Sequence, residues 1–369
     1  MPRTVVAVLY VFALAGVAAC GTRDTTVGFR TSGGQPCGSA FTVLTGAKVS
    51  LSAARKLDNA RIALIAGLDD DRVYLALDEA GSILAGPHRL GGAVGLNAPS
   101  LALSSGRMVT SFSNHALRGR WTIFAYEFDP ANPSMNWAST AVEISTPEPG
   151  ENLGPRLAAS DTGYGIAYRH VQNLEFSATG PDLKPLGHGS LSRCSGLPKV
   201  HGVVSFPPDS FGVLNQCSGL QALDVFSAVD GHHVERRFER RGVTAALSSN
   251  AQGFVVTWVS NTTPQATMET LDARGAPIAG TEKTFDLAAS ASEVAVAHSA
   301  AGDAALYVGS DASLHVAWLP ASASTARTNL ILGTADVENP PALFTTSPGF
   351  LALWTPPDER TVRAQVLCP

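Results

Sequence analysis

PRLAASDTGYGIAY (155–168), VTAALSSNAQGFVVTW (243–258) and PALFTTSPGFLALW (341–354) are copies of one unit. Each holds an apolar strand, a turn rich in Gly, Asp, Asn or Pro, and a second apolar strand ending in an aromatic residue. Short apolar runs bounded by turn residues and enriched in β-branched and aromatic side chains read as strands, not as buried helices. Looser copies begin at Ala60, Pro99, Pro198 and Ser292, and the seven starts lie 39 to 56 residues apart. That spacing is about the length of a four-stranded propeller blade and is foreign to stacked helix pairs. The sequence therefore predicts an all-β chain, a β-propeller of seven four-stranded blades. Degenerate copies leave six or eight open: the one from Pro198 runs PPDSFGVLNQC (207–217) where its aromatic end should fall.

A second element follows the first. LDEAGSILAG (77–86) and LDARGAPIAG (271–280) share an Asp-x-x-Gly turn and a closing Ala-Gly, and they stand 194 residues apart, about four blades. Gly81 and Gly275 are expected to supply the positive φ of a tight hairpin. The last copy has room for only three strands, whereas residues 41–51 read as an orphan strand ahead of the first copy. An N-terminal strand that completes the last blade would close the ring and remove its open edges. Phe112, Tyr168, Trp258 and Trp354 each end a second strand, and that periodic placement reads as packing between blades, not as ligand stacking.

Composition narrows the function classes. The 369 residues are 45% hydrophobic and 15% charged, with a formal net charge of -5. Such a chain buries a large core, and without a run of Lys and Arg it lacks the electrostatic footprint of a nucleic-acid binder, so no DNA or RNA partner is expected. The 35 Gly and 23 Pro, scattered between apolar runs, fit strands and turns.

Residues 1–19 read as a signal peptide, with Arg3 in the positive region and an apolar run from Thr4 to Ala19. Val17-Ala18-Ala19-Cys20 resembles the lipobox of bacterial lipoproteins. That resemblance implies cleavage before Cys20, a diacylglycerol on its thiol and a third acyl chain on the new amino terminus. At roughly 0.8 kcal/mol per buried methylene, such chains hold a protein durably on a membrane. Residues 20–39, rich in Gly, Thr and Ser, then form a tether, and 40–369 the folded domain. The expected location is the cell envelope, in the outer membrane, with the membrane a partner through the lipid anchor.

Cys37, Cys194, Cys217 and Cys368 allow three pairings in an oxidising compartment. Cys37 with Cys368 would tie the two ends of the domain, worth roughly 5 kcal/mol as an upper bound. Cys194 with Cys217 would clip one hairpin, worth roughly 3 kcal/mol on the same chain-entropy basis. Free buried thiols are the alternative.

With GFVVTW (253–258) ahead of LDARGAPIAG, the repeats resemble the propeller-like lipoproteins of unknown function common in myxobacteria and related Gram-negative bacteria. The resemblance spans most of residues 41–369. It implies the fold and a periplasmic or surface location, and it carries no catalytic residue.

Motifs with chemistry are sparse. Asp69-Asp70-Asp71 lacks the alternating oxygens, the Gly and the distal Glu of a calcium loop and reads as a solvated turn. His232-His233 would point to opposite faces of a strand, which disfavours joint chelation. No G-x-S-x-G, H-E-x-x-H or Cys-His signature occurs, and the turns of the repeats do not keep the Asp-box spacing of sialidases. No catalytic residue, metal or cofactor is assigned. A ligand face is expected where the loops between blades meet those after each second strand. Its candidates are Asn114, His115, Arg118, Arg120, Arg169, His170, Asn261, Asp358, Glu359 and Arg360. The expected function is a non-enzymatic scaffold that binds an envelope protein, a peptide or a glycan. The alternatives are a carbohydrate-active hydrolase or lyase with carboxylates in the central channel, and an assembly subunit with a large apolar patch.

Overall fold

The computed structural model describes residues 35–57, 60–69, 71–90, 97–104, 106–115, 119–131, 140–145, 150–191, 196–206, 210–250, 252–272, 275–321, 323, 325–347 and 349–368. Two strands, β1 (Gln35–Pro36) and β2 (Phe41–Thr45), precede the first blade. Blade 1 is β3 (Val49–Lys56), β4 (Arg61–Leu68), β5 (Asp71–Asp78) and β6 (Ile83–Arg89). Blade 2 is β7 (Asn97–Ser104), β8 (Arg107–Asn114), β9 (Thr122–Phe128) and β10 (Val142–Glu143). Blade 3 is β11 (Asn152–Ala159), β12 (Tyr164–His170), β13 (Asn173–Thr179) and β14 (Pro185–Leu191). Blade 4 is β15 (Lys199–Phe206), β16 (Ser210–Cys217), β17 (Leu220–Ser227) and β18 (His233–Arg241). Blade 5 is β19 (Thr244–Asn250), β20 (Gly253–Val259), β21 (Gln265–Leu271) and β22 (Lys283–Asp286). Blade 6 is β23 (Ala291–Ser299), β24 (Gly302–Gly309), β25 (Ser313–Pro320) and β26 (Thr325–Thr334). Blade 7 takes β27 (Ala342–Thr346), β28 (Gly349–Trp354) and β29 (Thr361–Cys368) from the end of the chain, and β2 from its beginning.

Seven antiparallel blades are thus present, and the alternatives of six and eight fall away. Phe41 pairs with Ala364 and Thr45 with Thr361, so β2 is the outer strand that closes the ring. Beside it β1 pairs Gln35 with Cys368, and Cys37 and Cys368 are disulfide-bonded with their Cα atoms 5.4 Å apart. Cys217 is also disulfide-bonded. Its expected partner Cys194 lies outside the described residues, as do Cys20 and the signal and tether segments up to residue 34.

Six of the seven copy starts fall within three residues of an inner strand, for example Pro198 beside β15 and Pro341 beside β27. The first copy does not. Ala60 introduces the second strand of blade 1, and the inner strand β3 lies inside the supposed orphan 41–51 and beyond it. The reason is local. After Leu51 the strand runs SAARK, small and polar residues suited to a channel wall, and an apolar pattern does not reveal it.

Burial follows position in the blade. The second strand is covered on both faces by neighbouring blades, so β24 is buried at all eight positions, whereas the outer strand β14 is mostly exposed. Continuous apolar runs are what such two-sided burial requires. Among the described residues the core divides into seven clusters, one at each blade-to-blade interface. Between blades 1 and 2, Tyr74 meets Phe128 edge to face at 5.4 Å. Between blades 3 and 4, Phe176 stacks on Phe226 at 4.7 Å. Phe112, Tyr168, Trp258 and Trp354 all lie in these clusters, as the repeats predict. Blades 5 and 6 are also joined at their edges, where β22 and β26 pair in parallel.

Gly81 and Gly275 have φ of 83° and 77° and close equivalent third-to-fourth-strand hairpins of blades 1 and 5. In both, the aspartate three residues earlier folds the turn, with Oδ1 of Asp78 accepting from Ser82 N and that of Asp272 from Ala276 N.

Candidate ligand channel

The inner strands of all seven blades surround a cavity of about 710 Å³, lined by Leu51, Ser100, Arg156, Lys199, Ala246, Glu293 and Phe344 among others. Bulges shape this wall. Register shifts fall between Leu51 and Ala53, Asn97 and Ser100, Leu153 and Arg156, Val200 and Gly202, and Ala291 and Glu293. A bulge bends and twists its strand and re-aims the side chains beside it. Here the same device recurs near the start of five inner strands.

The wall carries more cations than anions. Its described charged residues are Arg55, Arg72, Arg156 and Lys199 against Glu293 and Glu338, a positive interior in a chain of net charge -5. Lys199 on blade 4 and Glu293 on blade 6 form an ion pair that skips blade 5. Arg156 bonds from Nη1 to its neighbour's carbonyl, Pro155 O, at 3.2 Å. Partial burial lowers the pKa of Arg72 and Arg156, with Glu293 opposing the effect at Arg156, while the Arg55 side chain is exposed on the wall. The guanidinium stays charged at neutral pH, so the shift measures lost hydration of the cation.

Arg72 reaches the channel because Gly67 leaves room. Ser50, Gly67 and Arg72 stand side by side on β3, β4 and β5, and a Cβ on Gly67 would lie 2.8 Å from Arg72 Nη1 and 2.7 Å from Ser50 Oγ. The guanidinium therefore lies across the bare glycine toward the inner strand. His201, the bulged residue of β15, has its Nε2 3.3 Å from Gln216 Oε1. Burial, reinforced by Lys199 and Arg156, pulls its pKa down to about 3, so at neutral pH the ring is uncharged.

Inner strands start at the same face on which each second strand turns into the third. That face, here the upper one, carries the residues singled out in the sequence. Asn114 ends β8 fully buried, His115 sets its ring 5.6 Å from Trp121, and Arg120 Nη2 lies 3.6 Å from Glu143 Oε1. Arg118 lies outside the described residues. At the end of β12, His170 is buried with Nδ1 2.9 Å from Asn152 Oδ1, and Arg169 is half-buried. Asn261 is exposed, Asp358 Oδ1 accepts from Arg360 N at 3.1 Å, and Glu359 Oε2 lies 3.4 Å from Lys48 Nζ. These residues belong to blades 2, 3, 5 and 7. They share a face, and His115, Arg120, His170, Asp358 and Glu359 are tied to their own blade or the next.

The channel residues Arg55, Arg72, Arg156, Lys199, His201 and Glu293 were not among the sequence candidates. A signal did exist. The second residue of the copies from Pro155, Pro198 and Ser292 is Arg156, Lys199 and Glu293, a charge where the strand is otherwise apolar.

Two sequence readings resolve by geometry. Asp69 Oδ1 accepts from Ala47 N and Lys48 N at 2.8 and 3.0 Å, fastening the turn into β3. His232, in the turn before β18, pairs with exposed Asp230, while Nε2 of His233 lies 3.0 Å from buried Asp224 Oδ1, so the two rings have separate partners.

On the lower face, Ser248 Oγ lies 2.7 Å from His298 Nε2, and His298 Nδ1 lies 2.8 Å from Asp303 Oδ1. The three stand in the order of an acyl-transfer triad. Yet Asp303 gives its second oxygen to Lys283 Nζ at 2.6 Å, and Ser248 sits within an unbroken ladder opposite Val255. Polar contacts continue around the rim: Thr345 Oγ1 donates to His298 O, Lys56 Nζ to Thr345 O at 2.6 Å, and Ser347 N to Glu79 Oε2 at 2.8 Å. Blades 5, 6, 7 and 1 are linked in series, including the junction where the ring closes.

Fold and channel together define the class: a seven-bladed β-propeller whose inner strands present a charged cavity. No family description matches the chain, and no curated protein does. Among solved structures it is similar to a chain in the crystal structure of the mitotic checkpoint complex, with a TM-score of 0.53 and 12% identity over 97% of this chain and 99% of that one. It is also similar to U3-55K and to the WD40 repeats of RRP9, each with a TM-score of 0.52 and 11% identity over 90% of this chain and 99% of the other. At such identities the likeness carries the fold alone.

Proposed function

We propose that this protein is a lipid-anchored binding scaffold of the bacterial cell envelope, without enzymatic activity, whose upper face takes a protein, a peptide or a glycan. The observation that carries the binding reading is the cavity of about 710 Å³, walled by charged and polar side chains and flanked by polar turns on a rigid ring. Concave sites with a few convergent polar groups on a stiff scaffold are where ligands bind. That one similar propeller comes from the mitotic checkpoint complex, an assembly of proteins, supports a protein partner. The envelope address rests on Arg3, the apolar run and the lipobox-like residues ending at Cys20.

Two experiments test this reading. Cys20→Ser should move the protein from the membrane to the soluble envelope fraction, and retention on the membrane would refute the anchor. Detergent-solubilised full-length protein should retain a partner from envelope extract, and the combined His115→Ala and Arg120→Ala variant should lose it. A retained set indifferent to every upper-face substitution would refute the scaffold.

One observation favours a second reading, a hydrolase: the alignment of Ser248, His298 and Asp303. A serine-directed fluorophosphonate should label Ser248 if that alignment is catalytic and leave the chain unlabelled if it joins two blades. The carboxylate-based alternative has Glu293 and Glu338 in the channel wall, and Glu293 is already paired with Lys199.

A further inference from the structure

Tight turns take residues whose backbone suits them, and one turn of the upper face departs from that rule. Two-residue hairpins join the second and third strands of blades 1, 3 and 4, and their first residues, Asp69, Val171 and Ser218, have φ of 55°, 52° and 53°. Hairpins this short demand a positive φ there, which Gly, Asn and Asp adopt at little cost and a β-branched residue adopts only under strain. Blades 1 and 4 meet the demand with short polar residues. Blade 3 has a valine, 48% exposed at the tip, so burial within the fold does not offset the strain. Strain that persists without a packing reason points to function.

Two residues earlier stands a second anomaly. Arg169 is half-buried, its Nε is shut off from solvent with no hydrogen-bond partner, and it forms no ion pair with any described residue. Glu151 is exposed beside the turn, where its carbonyl accepts from Val171 N at 3.2 Å, yet its carboxylate does not pair with Arg169. Buried N–H groups nearly always have an acceptor, so an orphaned one on a cation suits an anionic partner. Arg169 pairs in register with Leu153 and Leu174, one residue from the end of β12, and so stands at the upper rim. From there a polar surface runs into blade 2. His170 Nδ1 lies 2.9 Å from Asn152 Oδ1, Asn152 Nδ2 donates to Trp121 O at 3.0 Å, and the His115 ring lies 5.6 Å from that of Trp121. Gly150 makes room for the turn, since a Cβ there would come within 2.6 Å of His170 Cε1 and 2.8 Å of Val171 Cγ2.

We propose that the turn at residues 169–171 anchors a peptide segment in which an acidic side chain stands beside an apolar one. Arg169 swings out from the rim and takes the carboxylate through its forked N–H donors, and Val171 packs against the apolar neighbour. Charge complementarity selects this occupant: a neutral glycan would use neither the guanidinium nor the aliphatic knob. The inference rests on the reading of the upper face as the partner-binding surface, and it names the chemistry recognised there.

The test is selection of a random dodecapeptide phage library on the detergent-solubilised full-length protein, followed by fluorescence polarisation with the enriched peptides made synthetically. The enriched peptides share an Asp or Glu next to an apolar residue. Changing that acid to its amide, or Arg169→Gln in the protein, weakens binding by about 10- to 100-fold, the usual loss for a charge-assisted hydrogen bond. The two changes together lose no more than either alone, because they break one contact. Val171→Asn raises the melting temperature of the free protein, since Asn tolerates a positive φ, and weakens the peptide by about tenfold. Asn261→Ala, on the upper face of blade 5, stays within about twofold of the parent, as most residues outside an anchor do. No enrichment, enriched peptides without a shared acid, independent losses for Arg169→Gln and the amide peptide, or a lower melting temperature for Val171→Asn would each overturn the proposal. If Arg169→Gln keeps an envelope partner that the combined His115→Ala and Arg120→Ala variant loses, the scaffold reading stands and this one falls.

Discussion

Cys37 and Cys368, separated by 331 positions, are bonded to one another and lie where β1 meets β29. The bond joins the first and last strands of the ring at the blade built from both ends of the chain. Hydrogen bonds of β2 with β29 close the same blade, so closure has a covalent and a non-covalent part.

Replacing both cysteines by Ser separates these parts. By the chain-entropy model closing so long a loop contributes several kcal/mol at most. The double variant should melt at a lower temperature, with amide exchange accelerated first in β2 and β29. An unchanged melting temperature would mean that the β2–β29 ladder alone sets closure.

Trp354 is 1% exposed in the cluster between blades 6 and 7. Trp354→Ala should destabilise by about 3–5 kcal/mol through lost burial and the cavity it leaves. Urea unfolding checks this, and a loss below about 1 kcal/mol would refute a packing role.

His201 predicts an acid dependence. Its pKa stands at about 3 in the fold against an ordinary 6.5, so between those values the unfolded chain binds more protons than the folded one. Stability due to this group is therefore complete above pH 6.5 and falls as the pH drops toward 3. His201→Gln should flatten the curve of unfolding free energy against pH between 4 and 6.5. An identical slope in both proteins would place the origin elsewhere.

His298 links Ser248 of blade 5 to Asp303 of blade 6, at 2.7 and 2.8 Å. Burial pushes the Asp303 pKa up, but bonds from His298 and Lys283 outweigh it and hold the carboxyl below its usual range. His298→Ala should leave Asp303 with Lys283 alone and cost about 1–3 kcal/mol. Because Asp303 is depressed, the stability it provides is present above the ordinary carboxylate range and is lost on acidification. The variant should lose less stability than the parent on going to pH 3, measured by thermal melting.

How much was legible depended on how local the signal was. The second strands could be read because burial between two blades demands continuous apolar runs, as in GFVVTW and GFLALW. The turns could be read because Gly81 and Gly275 occupy backbone conformations that other residues adopt only at a cost. The inner strand β3 was missed because a channel wall needs no apolar stripe. The upper-face turns were chosen for their polarity, and the tertiary structure ties His115, Arg120, His170, Asp358 and Glu359 to their own blade or to the next.

By itself the sequence determined the blade, its repetition around a ring and the closing N-terminal strand, since each follows from periodicity or from strand count, and it left the blade number between six and eight and Cys37 with several possible partners. Only the tertiary structure decided where the charge would converge. Arg55, Arg72, Arg156, Lys199 and Glu293 are scattered over 239 positions of the chain and meet because four bulged inner strands and one bare glycine turn them to a common axis. That convergence is a property of the closed ring, and no stretch of residues shorter than the ring contains it.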